Sequence, residues 1–457
     1  MKKFFAVIAA TFLFATVLFC GCSLPFTNGV DGRDGKDGTN ASVYDYYEFA
    51  KTIPGNENMT KEEFLEKYLG YSSSEIEEAL NLQASINRSM RSAVAIAAQF
   101  NGGGISLGSG VIVDLDKEKG DAYVLTNCHV VYNDAAYGSH YAGTVYLYLY
   151  GQDTDYNDET NRFNATVIGA SITYDVALLK VTGSELLKNS VAEAAEFATD
   201  DDIYLGEQVY TVGNAEGYGI SVTRGIVSRD REVIPINMSE LNSGSSRYLR
   251  YYTVMRTDAA INEGNSGGAL FNGEGKIVAL VNSKSSDSED ANGFMIDDVD
   301  GMSYAIPAST VKRLYPLMKE SYENNGFNSS NPKLSRAHFV VKEDFTKSVI
   351  DAGNYTKNLE VTATGSAATW NSEKNVLVFN EKVSVLKDCY GLKAGDLITH
   401  IKITNGENVV EDRPVDRLYH LQDTLLSARE GYSIEITVKR GGETVTVPTQ
   451  ITFSQFD

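Results

Sequence analysis

The chain has 457 residues, too many for one ordinary domain and enough for two or three. Apolar residues make up 42% and charged residues 22%, which excludes wholesale disorder. Lys and Arg number 40 against 61 Asp and Glu, and the net charge of −21 excludes a nucleic-acid binder and disfavours adsorption to anionic lipid headgroups.

Lys2 and Lys3 precede Phe4–Phe19, an apolar stretch interrupted only by Thr. It is long enough for a signal sequence but short of the roughly 20 residues of a spanning helix. It ends in Phe19-Cys20-Gly21-Cys22, not in a small-x-small cleavage site. A small residue before a cysteine resembles the lipobox of bacterial lipoproteins. That resemblance implies a signal peptide over 1–22, lipid on Cys22 (with Cys20 as the alternative) and a protein held on the outer face of the cytoplasmic membrane. Gly29, Gly32, Gly35 and Gly38 recur every third residue, but four repeats without proline cannot hold a triple helix. Residues 23–58 therefore read as a hydrated tether. Thr60 and Glu63 form a capping-box pattern, which Ser74 and Glu77 repeat, so 59–90 reads as a short helical stalk.

From residue 92 the period changes to short runs bounded by turn residues. Strands are expected at 93–100, 110–113, 123–126, 144–150, 166–168 and 176–181. A second set of six is expected at 208–212, 221–227, 252–256, 268–271, 276–281 and 302–305. No amphipathic helices intervene, so antiparallel barrels are expected rather than a parallel α/β sheet. A helix should follow from Ser309 to about Glu320, with Val311, Leu314, Tyr315 and Met318 on one face. The polar run 323–333 reads as a linker within 321–335, ahead of a separate domain over 336–457.

Three segments of the 91–320 region together supply a nucleophilic apparatus. In Thr257–Leu270, Gly264, Gly267 and Gly268 flank Ser266, so a tight turn can present its hydroxyl. The amides of Gly264 and Ser266 can then converge on a developing oxyanion. Serine needs a base, and His129 lies in Thr126–Val131, at the end of an expected β-run. The base needs a carboxylate to fix its tautomer, and Asp175 immediately precedes the strand at 176. Cys128 adjoins the base, but neighbouring strand residues face opposite ways, which argues against a Cys–His pair. Cys128 and Cys389 are either a bridge in an exported protein or two unpaired core residues. No cofactor or metal is called for.

The order His129, Asp175, Ser266 is that of the chymotrypsin-type triad. Moreover, GSGVIV (108–113), TNCHVV, YDVALLKV, VGNAEGYGISVTRGIVS (212–228), TDAAINEGNSGGAL and SYAIP (303–307) resemble successive signatures of the HtrA/Deg serine proteases. The resemblance implies an all-β, chymotrypsin-like double barrel followed by a PDZ-like α+β domain. It implies hydrolysis of peptide bonds in misfolded or exported proteins, with Ser266 attacking, His129 as base then acid, and Asp175 orienting the imidazole. Asn265 stands where trypsin carries the aspartate that pairs with a new N-terminus, so that activation route is closed. The acidic run 285–301 should border the cleft, as a solvated insertion or as a regulatory loop.

Residues 386–401 resemble the PDZ segment that reads Gly-Leu-x-x-Gly-Asp-x-Ile, through Gly391, Leu392, Gly395, Asp396 and Ile398. Leu418–Ser427 suits the groove helix of such a domain, which would take peptide ligands as an added strand. The stretch 338–385 is long enough to hold an inserted hairpin. Homotrimers are common in the family, although its oligomerising segment is not recognisable in this chain. The competing reading is a peptide-binding chaperone on a protease fold, which the complete His129, Asp175 and Ser266 set opposes.

Overall fold

The computed structural model describes residues 43–457 except 134–135, 138, 152–158, 200–202, 238–248, 285–287, 290–294, 297–300, 328–333, 339, 350–357, 362–366, 372–376, 386–396, 416–417, 450–451 and 457. Cys20, Cys22, the glycine repeat, Cys389, most of the acidic run and the Gly391–Asp396 signature lie outside the described residues. The chain forms an N-terminal unit up to Ala84 and a larger unit from Ser85 onward.

The N-terminal unit is helical. Helix α1 (Val43–Lys51) occupies part of the expected tether, so residues 43–51 are a correction to that reading. Its Ala50 packs with Met59 and Phe64, and such contacts favour helix where composition alone suggested solvent. Helix α2 (Lys61–Leu69) carries the expected capping box: Thr60 Oγ1 accepts from Glu63 N, and the Glu63 carboxylate accepts from Thr60 N. Helix α3 (Ser73–Ser92) runs to the first barrel strand.

Twelve strands close two barrels. The first contains β1 (Ala93–Gln99), β2 (Ile105–Asp116), β3 (Asp121–Thr126), β4 (Thr144–Leu149), β5 (Phe163–Ser171) and β6 (Val176–Val181), in the order β1-β2-β3-β6-β5-β4. The second contains β7 (Gln208–Gly213), β8 (Ser221–Asn237), β9 (Leu249–Thr257), β10 (Ala269–Asn272), β11 (Ile277–Lys284) and β12 (Ser303–Pro307), in the order β7-β8-β9-β12-β11-β10. Val94, Ile96, Ile112, Val124, Leu147 and Leu179 fill the first barrel, and Val209, Met255, Leu270, Val278 and Val281 the second. Each such side chain removed from water contributes about 1.5–3 kcal/mol. Strand β1 is apolar from Ala93 to Ala98 because both of its faces are covered there: Val94 and Ile96 point inward, while Ala95 and Ala97 pack outward on Tyr148.

Two elements depart from expectation. Strand β8 extends ten residues past Val227, pairing with β9 across register shifts at Val227/Arg229 and Arg229/Glu232. The Arg229-Asp230-Arg231 run hid this extension, since backbone pairing needs no apolar alternation. His129 lies not in a strand but in α4 (Cys128–Val131), a single helical turn after β3. Cys128 is buried in the first-barrel core and forms no disulfide.

Helix α5 (Ala308–Asn325) follows β12 and buries Val311, Leu314, Leu317 and Met318. It takes the first five residues of the expected linker, and Leu334–His338 is already a strand, paired with Thr452–Phe456. The C-terminal region has strands Leu397–Asn405, Asn408–Pro414, Ser433–Arg440 and Glu443–Thr449 around α6 (Leu418–Leu425). The stretch 340–385 holds four strands of the C-terminal sheet, Val340–Val349, Asn358–Val361, Ala367–Asn371 and Leu377–Val385, the first pairing with the last, where a single inserted hairpin was expected. Buried polar contacts tie this region to the barrels. Arg313 of α5 meets both carboxylate oxygens of Glu411 at 2.7 and 3.1 Å, and Asp423 of α6 accepts from Ser309 Oγ and Thr310 Oγ1.

Candidate active site

Asp175 is held from four directions. Its Oδ1 accepts from the backbone amide of His129 at 2.8 Å, and its Oδ2 lies 2.7 Å from His129 Nδ1. The Asn282 amide also donates to Oδ2, and the Asn127 amide donates to the Asp175 carbonyl at 2.9 Å. Asp175 takes a left-handed φ of 51°, a conformation that costs a non-glycine residue energy and is retained where the surroundings over-determine it. Because α4 turns the chain after β3, one carboxylate reaches both the main chain and the ring of His129.

Burial disfavours the charged form of His129, but the charge of Asp175 and its hydrogen bond to the ring outweigh that. The imidazole is therefore held above the ordinary histidine range. The bond on Nδ1 leaves Nε2 as the nitrogen able to take a proton.

Ser266 occupies the turn between β9 and β10. Its hydroxyl donates to the Asn282 carbonyl at 3.0 Å, so Asn282 bridges the serine and Asp175, and no hydrogen bond joins Ser266 to His129 among the described residues. The amides of Asn265, Gly267 and Gly268 donate to Asn262 O, Val281 O and Asn265 O. Those of Gly264 and Ser266 have no acceptor among the described residues, which leaves two neighbouring donors for a ligand oxygen. Only glycine fits at 267. Its φ is +85°, and a Cβ would stand 2.2 Å from Thr126 Oγ1 and 2.3 Å from Ser109 O.

Ser109 of β2 stitches the first barrel to this turn. Its amide donates to Ser266 O at 2.8 Å, and its Oγ donates to Gly264 O at 2.6 Å while accepting from Asn214 N at 2.7 Å. The structure thus gathers every residue singled out for catalysis, His129, Asp175, Ser266 and Gly264, at the junction of the barrels. Sequence reasoning missed Asn127, Ser109 and Asn282. For Ser109 the GSG motif was a usable signal, but for the two asparagines nothing local distinguishes them from other polar strand-end residues. Among the described residues no cluster of His, Cys, Asp and Glu could hold a metal ion.

The family described as Trypsin-like peptidase domain matches residues 108–280. A relative named Serine protease Do-like HtrA, from Lactococcus lactis subsp. cremoris, is 28% identical over 354 residues, covering 77% of this chain and 72% of its own. The Periplasmic serine endoprotease DegP of Escherichia coli is 33% identical over 225 residues, covering 48% of this chain and 38% of its own. A solved structure titled HtrA-type protease AlgW with tripeptide aligns over 82% of this chain and 97% of that chain, at 21% identity and a TM-score of 0.45.

Proposed function

We propose, from the premise that the chain is a serine endopeptidase of HtrA type, that Ser266 is its nucleophile, His129 its base and Asp175 the group that orients and charges the imidazole. For attack, the Ser266 hydroxyl turns from Asn282 O toward the imidazole. As Oγ bonds to the scissile carbonyl carbon, its proton passes to His129 Nε2, and Asp175 stabilises the imidazolium. The carbonyl oxygen, now negative, is received by the Gly264 and Ser266 amides. His129 returns the proton to the leaving amine, and water repeats the sequence on the acyl-enzyme. The observation that carries this reading is the double hold of Asp175 on the His129 ring and main chain, with the serine one residue away across Asn282.

On the same reading, residues 336–457 form a PDZ-like domain that takes peptide ligands, supported by helix α6, whose Leu421 and Leu425 are buried. The first 22 residues are a lipoprotein signal, with Cys22 or else Cys20 lipidated, and the substrates are misfolded or exported proteins. A homotrimer is the assembly that follows from the resemblance. The periplasmic address in the name of the E. coli relative supports an extracytoplasmic location. Labelling of cells with a fatty-acid probe should mark the chain, and Cys22→Ser should abolish the mark.

The full chain should digest casein and react with a fluorophosphonate, and Ser266→Ala should do neither. Casein digestion by Ser266→Ala at the parent rate would sink the assignment.

A further inference from the structure

The two amides proposed to receive the oxyanion are not held alike. A trans peptide unit carries its carbonyl and its N–H on opposite sides, so each donor is aimed by whatever binds the carbonyl of the residue before it. Ser266 N–H shares a unit with Asn265 O, which accepts from Gly268 N at 2.9 Å, a bond inside the turn itself. Gly264 N–H shares a unit with Glu263 O, and that oxygen accepts from Glu216 N at 2.7 Å, on a different loop. With Glu263 O drawn toward Glu216, the Gly264 N–H faces the other way and has no acceptor among the described residues. Asn265 is neutral, so no ion pair from that position can hold the unit.

The loop that makes this bond, residues 214–220, joins β7 to β8 and is itself pinned. Asn214 N donates to Ser109 Oγ at 2.7 Å, Gly219 N donates to Asn214 Oδ1 at 2.8 Å, and Gly217 N donates to Asn214 O at 3.1 Å. The fit to the turn is close: a Cβ on Gly264 would stand 2.2 Å from Asn214 O and 3.1 Å from Glu216 N. Glu216 has a φ of 53°, and among the described residues only Asp175 shares a left-handed non-glycine backbone with it. Its side chain is exposed, so the conformation is imposed through the main chain. Because the loop is pinned on both sides of Glu216, a residue there that resists this φ must displace the amide.

We propose that Glu216 is a positioning residue: its main-chain N–H, set by a left-handed backbone, holds the Glu263–Gly264 peptide unit so that the Gly264 N–H is aimed at the oxyanion. The role lies in the backbone and not in the carboxylate. The inference rests on the serine-peptidase reading and adds to it a residue outside the triad and the turn.

Three variants of the full chain, each checked by circular dichroism, test it on an internally quenched peptide copied from a casein site that the parent cuts. Glu216→Pro fixes φ at about −65° and removes the N–H. Losing one oxyanion donor costs about 10²–10³-fold, so this variant should lower kcat about 10²-fold or more with KM within about threefold. Glu216→Val keeps the N–H but resists a left-handed φ, and should lower kcat on the order of tenfold. Glu216→Gly keeps the N–H, adopts that φ freely and should restore kcat to within about twofold of the parent. All three lose the same charge, so this order separates backbone from carboxylate. A peptide aldehyde on the same acyl half forms a tetrahedral adduct that needs the Gly264 N–H, and its Ki should rise across the series by the factors seen in kcat. Glu216→Pro at the parent kcat, a loss carried by KM alone, or Glu216→Gly as slow as Glu216→Val overturns the inference and leaves the peptidase reading standing. Should Glu216→Pro fail to fold, the Val and Gly variants and the aldehyde decide. If the parent cuts no peptide and no fluorophosphonate labels Ser266, the peptidase reading falls and takes the inference with it.

Discussion

The two barrels have the same strand order, each running first, second, third, sixth, fifth, fourth around its wall, yet they contribute opposite kinds of group to the site. The first supplies side chains, His129 and Asp175, fixed by a one-turn helix and a left-handed backbone at position 175. The second supplies mostly main chain: the Gly264 and Ser266 amides, which have no acceptor among the described residues, and the Asn282 carbonyl that accepts from Ser266. Barrel walls of the same topology are therefore a common scaffold, and the chemistry lies in the connections between strands. Because the groups are split between them, neither barrel alone holds a site. Ser109, reaching from one into the turn of the other, is what aligns the halves.

The comparison breaks hardest at the nucleophile. If Ser266 is the nucleophile as proposed, Ser266→Ala should lower kcat by about 10⁴-fold or more while leaving the circular dichroism spectrum intact, since its loss removes nearly the whole covalent route. In the first barrel, Asp175→Asn should cost about 10³–10⁴-fold, and a pH profile sharpens the reason. In the proposed mechanism neutral His129 is the base, so kcat/KM should fall as pH drops through its raised pKa, on a limb above the ordinary value of about 6.5. Asp175→Asn removes the charge that raises it, so the residual limb should move to lower pH; an unmoved limb would assign the titration to another group.

At the seam, Ser109→Ala deletes the hydroxyl that serves Gly264 O and Asn214 N. Leaving buried groups unpaired costs about 1–3 kcal/mol, readable as a lower denaturant midpoint, and kcat should fall about tenfold through misalignment. A loss confined to stability would mean that Ser109 only braces the seam. The smallest effect is expected at Cys128, buried in the first-barrel core beside the base. Cys128→Ala should cost about 1 kcal/mol of stability and keep kcat within about threefold, because its thiol faces the core and not the cleft. A loss as large as that of Ser266→Ala would overturn the serine assignment.

Strand positions were legible where burial is one-sided or complete: runs such as Val176–Val181 and Ala93–Gln99 carry their barrel in their apolar pattern. The C-terminal half of β8 was not, because it is held by backbone pairing with β9 that any residue can make. Helix α1 was hidden for a related reason, its Ala50 being buried by Met59 and Phe64 rather than by a strong pattern of its own.

By itself the sequence determined the antiparallel all-β class, the number of barrel strands and the three residues around which the proposed chemistry is built, since each is written in local periodicity or in a short motif. Only the tertiary structure decided that Asn282 bridges Ser266 and Asp175 and that Ser109 stitches the barrels. Asn282 and Asp175 stand 107 positions apart, and Ser109 and Gly264 155. Contacts at such separations are set by how the closed barrels pack, and a local pattern carries no trace of them.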